Sequence, residues 1–191
     1  GAESVAPREN VAGESGLGVA DVARVYERAG FIAEGGQVPF IGTVGYFASA
    51  RPDSTMALVA LSLANRALSF LRGGDQYQGA YTVVLEVRRD SVVVRRVEAR
   101  EQVRVASFRE TTRGDESVIF QQFVTLAPGN YALLVSLRDE QSGRTGRHET
   151  VLLDPSHAAS SLSTPVAVYE ARPRTTLDSL PALIANPRTT L

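Results

Sequence analysis

The sequence predicts an all-β fold: a two-sheet antiparallel, immunoglobulin-like β-sandwich with a short N-terminal helix and extended terminal tails. Three observations carry this. Over residues 38–153 apolar side chains recur at every second position, short Gly-, Pro-, Asn- and Asp-containing turns separate the runs, and outside that stretch the alternation stops. A period of two turns one face of a strand toward a core and the other toward water. A series of such strands with short turns is the pattern of a sandwich. The chain therefore divides into an N-terminal arm and short helix (1–37), a sandwich domain (38–153) and a Pro-containing C-terminal tail (154–191).

The elements follow in order. Residues 1–18 are rich in Gly, Ser, Glu and Pro without periodicity and read as an extended arm. Val19, Val22, Ala23, Val25, Tyr26 and Ala29 then fall at helical spacing, with Asp21 near the start and Gly30 at the end. A first strand spans 38–48, and Arg51-Pro52-Asp53-Ser54 turns into a second over 55–63. Asn65-Arg66 interrupts it, and residues 68–71 continue toward a Gly73-Gly74-Asp75 turn. Tyr81, Val83, Leu85 and Val87 alternate with Thr82, Glu86 and Arg88; strands over 92–101 and 103–109 follow. After a turn at 113–116 come a strand over 118–126, a type II turn at Ala127-Pro128-Gly129-Asn130, alternating Tyr131, Leu133, Val135 and Leu137, and a last strand over 148–153. The alternation places Val83, Leu85, Phe120, Leu133 and Val135 in the core. Without Cys or Trp this is not a true immunoglobulin domain, though the architecture can still be immunoglobulin-like.

Twenty basic residues against twenty-one acidic ones leave a net charge of −1, which gives no field to draw in nucleic acid. Every basic residue is arginine. A GC-rich genome is the reading we favour for this, ahead of selection for bidentate carboxylate contacts at an interface. The absence of Cys removes disulfides, thiolate nucleophiles and Cys-based metal sites. The chain opens Gly1-Ala2-Glu3-Ser4 without an initiator Met, so either a signal peptide or an added tag is expected to have been removed. No apolar run has the length of a bilayer span.

No catalytic constellation is legible, and the expectation is a non-enzymatic protein without metal or cofactor. His148 and His157 lack a second ligand at metal spacing and read as solvated. The Ser and Thr residues include no nucleophile elbow, and Gly35-Gly36 and Gly73-Gly74 lack a P-loop lysine. Arg88-Arg89 and Arg95-Arg96 on adjacent strands read as cross-strand partners of Glu86, Asp90, Glu98 and Glu101. Tyr77, Tyr81 and Tyr131 supply the alternative reading, a peptide- or glycan-binding module.

The tails carry the remaining information. Pro173-Arg174-Thr175-Thr176-Leu177 recurs as Pro187-Arg188-Thr189-Thr190-Leu191, and Leu180, Leu183 and Ile184 lie between the copies. Such sparse apolar residues cannot build a second core, but they can anchor an extended interface, where few side chains carry most of the binding energy. Candidate partner-binding residues are Leu17, Val22, Val25 and Tyr26 at the N-terminus, with Arg172, Arg174, Leu177, Leu180, Leu183, Ile184, Arg188 and Leu191 at the C-terminus. Either this tail folds back over the sandwich or it lies on another protein.

Val38-Pro39-Phe40-Ile41-Gly42, Pro52-Asp53-Ser54-Thr55 and Asn65-Arg66-Ala67-Leu68-Ser69-Phe70 resemble the amino-terminal β-domain of GWxTD-domain proteins, secreted or envelope proteins frequent in Gemmatimonadota. The resemblance continues through Leu126-Ala127-Pro128-Gly129-Asn130-Tyr131, the stretch from Asp139 to Arg144, Pro173-Arg174 and Asn186-Pro187-Arg188, covering roughly residues 26–191. The GWxTD motif itself does not occur in the 191 residues, so no activity tied to it carries over. The resemblance implies an exported, periplasmic sandwich that works through protein contacts on the extracytoplasmic face of a membrane. Its expected partners are the subunits of a membrane protein complex, such as the photosynthetic reaction-centre and light-harvesting complex of phototrophic Gemmatimonas.

Overall fold

The computed structural model describes residues 30–33, 36–152, 166–176 and 179–190. Its strands are β1 (Gly30–Ala33), β2 (Phe40–Ala48), β3 (Thr55–Ala64), β4 (Leu71–Gly73), β5 (Gln76–Arg89), β6 (Val92–Val105), β7 (Ser117–Leu126), β8 (Tyr131–Asp139), β9 (Thr145–Leu152), β10 (Val168–Arg172) and β11 (Ala182–Ala185). All pairings are antiparallel. One sheet runs β1-β2-β3-β7; the other runs β9-β8-β5-β6, with β4 pairing the first residues of β5. The chain crosses between sheets after β3, returns after β6 and crosses again after β7. This order, β2-β3-β7 against β9-β8-β5-β6, is that of an immunoglobulin-like sandwich.

The alternation seen in the sequence builds the core. Ala57, Val59, Leu61 and Leu63 of β3 face Tyr81, Val83, Leu85 and Val87 of β5 and Leu133, Val135 and Leu137 of β8, all buried. Val83, Leu85, Phe120, Leu133 and Val135 are buried as expected. Tyr131 opens β8, and its hydroxyl donates to the carbonyl of Ala127 at 2.7 Å. That is the tyrosine corner of immunoglobulin-like domains, which fixes the crossover into the strand beside it.

The near edge of the sandwich is sewn shut. The Phe31 ring of β1 stacks on His148 of β9 with centroids 4.4 Å apart, and the Gln37 amide donates to the Thr145 carbonyl at 2.8 Å. Backbones approach so closely here that a Cβ at Gly146 would sit 2.1 Å from the Val38 oxygen, so only glycine fits.

Several sequence expectations change. The N-terminal arm and helix lie outside the described residues, but Gly30, expected to end that helix, begins β1 instead. The strands expected over 92–101 and 103–109 are one strand ending at Val105, followed by a short helix, α1 (Phe108–Thr111). The Glu110 carboxylate accepts from the Ala106 amide at 2.9 Å, tying the first turn of the helix back to the residue that follows the strand. Residues 65–67 form a 3-10 turn, and the strand expected over 68–71 shrinks to the three residues of β4. His148, read as solvated, is half-buried under Phe31.

Candidate functional site

The second face of β3 explains where the C-terminal tail goes. β3 is buried on both sides: its outward residues Leu58 and Ala60 form a separate apolar cluster with Ala185, flanked by Phe47, Phe123, Val166 and Leu183. Covering both faces is why the strand reads Met-Ala-Leu-Val-Ala-Leu without polar interruption. The cover is the β10–β11 hairpin, in which Ala171 opposes Leu183 and Glu170 opposes Ile184.

A side chain of β7 fastens it. The Gln121 amide donates to the Leu183 carbonyl at 2.7 Å and accepts from the Ala185 amide at 3.1 Å, standing in for a neighbouring strand. Arg174 donates to the carbonyls of Ala48 and Thr176 at 3.0 and 2.9 Å.

The candidate partner-binding residues therefore fall into three groups, with Arg188 apart from all of them. Leu183 faces its own sheet, and Arg174 is tied to it. Leu180 and Ile184 are exposed, and Arg172 lies in solvent beside Glu170 at 3.1 Å. Leu17, Val22, Val25, Tyr26, Leu177 and Leu191 lie outside the described residues. The hairpin also exposes Val168 and Tyr169, which the sequence reading did not single out. Together with Leu180 and Ile184 they give this part of the tail an apolar outer surface.

Arg188 is in a different place. It follows the hairpin in a 3-10 turn, Pro187–Thr190, and reaches an open cleft of about 440 Å³ at the end of the sandwich. Arg66, from the 3-10 turn after β3, and Arg144, from the β8–β9 connection, line the same cleft. Arg188 donates to the Asp115 carbonyl at 3.4 Å. Arg144 donates to the Ala67 carbonyl and the Ser69 hydroxyl, each at 3.3 Å, and to the Ser142 hydroxyl at 3.0 Å. It lies 3.7 Å from Asp139, which is fully buried at the end of β8. Burial alone would push the Asp139 carboxyl up. Hydrogen bonds from Ser142, Ser69 and Gln141 outweigh that and hold it below the ordinary carboxylate range.

The chain matches no family model, no curated protein and no solved structure.

What the arrangement can do chemically thus rests on its side chains. Tyr131 is committed to its corner, and Tyr81 is fully buried, its phenol pushed up by burial and then by Glu101. Of the three tyrosines proposed for ligand binding, Tyr77 alone remains half-exposed, beside Phe108 in a smaller cavity of about 240 Å³. Arg88 pairs with Glu86 at 2.6 Å within β5 and Arg96 with Glu98 at 2.8 Å within β6, while Arg96 reaches Glu86 across the two strands at 3.7 Å. The expected cross-strand pairing holds for that last contact, and the two shorter ones run along single strands. Among the described residues no group of three His, Asp or Glu side chains is placed to hold a metal ion. No helix among them is long and apolar enough to cross a membrane.

Proposed function

We propose that the chain is a non-catalytic structural subunit that docks on the extracytoplasmic face of a membrane protein complex. The carrying observation is the tail hairpin, which is clamped to the sandwich by its inner residues while Val168, Tyr169, Leu180 and Ile184 stay exposed. An aromatic and aliphatic anchor set on a rigid support has its conformational entropy already spent, which favours binding. The resemblance to the β-domain of GWxTD proteins supports an extracytoplasmic location, and a photosynthetic reaction-centre and light-harvesting complex is the specific partner we put forward. Affinity purification of the tagged chain from detergent-solubilised native membranes tests this. Recovery of the subunits of one membrane complex at fixed stoichiometry is expected; recovery of the chain alone would sink the reading.

A further inference from the structure

Three arginines line the end cleft, and none of the described residues lining it is a carboxylate. Arg188 is oriented by a neutral carbonyl, which leaves its charge intact, whereas Arg144 has Asp139 nearby to offset part of its own. Arg66 is the exception among the three. Among the described residues its guanidinium makes no hydrogen bond or ion pair. It lies flat over Gly114, where a Cβ would come within 2.9 Å of its Cζ, so the glycine preserves the space the head occupies. Beside these cations the cleft is lined by apolar Ile32, Phe40, Ile41, Ala64 and Ala67 and by the neutral polar residues Gln37, Ser62 and Ser117.

A cleft that combines arginines with apolar side chains and no described carboxylate favours an anion that brings an apolar group with it. A planar guanidinium fork matches a carboxylate through two parallel hydrogen bonds. The cavity has the size of small-ligand sites, enough for one or two residues of a peptide. We propose that this cleft binds a carboxylate carried on a small apolar body, either a peptide C-terminus or a free aliphatic acid. Arg66 takes the carboxylate and Arg188 flanks it from the tail, so an occupied cleft ties tail to sandwich. The site does not depend on membrane docking: a chain that binds no membrane complex would still bind the acid.

Calorimetric titration of the full chain with acetyl-Val-Leu as free acid, with the same dipeptide as its amide, and with octanoate tests this. The free acid should bind at least about tenfold more tightly than the amide, and Arg66→Gln should cost about tenfold in affinity for the acid. Arg72→Gln, on the distant β4 turn, should change nothing. Tighter binding of the dipeptide acid assigns the source to a chain terminus, and tighter binding of octanoate assigns it to a free acid. Equal affinity for acid and amide, undiminished binding by Arg66→Gln, or no heat from any ligand up to about 10 mM would each overturn the proposal. Circular dichroism confirms that Arg66→Gln is folded, and the acid–amide comparison on the unaltered chain stands without it.

Discussion

Protonating His148 means placing a charge in the contact between its ring and that of Phe31. Burial alone lowers its pKa below the ordinary histidine range. A depressed folded pKa means the unfolded chain binds the proton more readily, so stability is complete above the unfolded value of about 6.5 and declines as pH falls through it. His148→Phe keeps a ring for Phe31 to stack on and removes the proton. Chemical denaturation from pH 7.5 to 5 should show a declining midpoint for the parent chain and a flatter one for the variant. Parallel curves would mean the imidazole is as well solvated in the fold as out of it. Sequence alone could not place this residue, because the stacking partner sits in β1, where no alternation announces a strand.

At the scale of elements, Gln121 does the work of a missing strand by offering one donor and one acceptor to successive backbone groups of β11. Gln121→Ala removes both, leaving the Leu183 carbonyl and Ala185 amide to find other partners. Hydrogen exchange at Ala185 should accelerate markedly while β5 and β8 keep their protection, since local opening does not require global unfolding. Unchanged exchange would show that apolar contact alone seats the hairpin. The strands that the sequence announces are those with a full row of apolar residues in the core: β2, β3, β5, β7 and β8 all fall within a few residues of their expected positions. Those it conceals have weaker patterns. β10 and β11 are short, bounded by Pro173 and Pro181, and gain their apolar partners from the outer face of the first sheet. The end of β6 is equally hidden, because the Glu110 contact that holds the Ala106 amide comes from a helix beyond the strand. The arginine cleft was invisible for a related reason: Arg66, Arg144 and Arg188 are far apart in sequence and come from three connections.

For the whole molecule, the tail hairpin faces two ways. Its inner residues complete the sandwich and its outer residues are free to meet a partner, so the two contributions must be separated experimentally. Removing residues 172–191 deletes β11 and uncovers Leu58 and Ala60, which destabilises the first sheet as well as any docking. Substituting only the outer residues avoids this. A Tyr169→Ser, Leu180→Ser, Ile184→Ser variant changes side chains that are 55%, 60% and 44% exposed, so its thermal midpoint should remain close to that of the parent. If the hairpin is the docking surface, the variant should be lost from native membranes in a wash that retains the parent. The loss should be similar in low and high salt, because apolar anchors are not screened, whereas a contact led by Arg172 would fail selectively in high salt. Retention of the variant at parental levels in both washes would remove the hairpin from the interface.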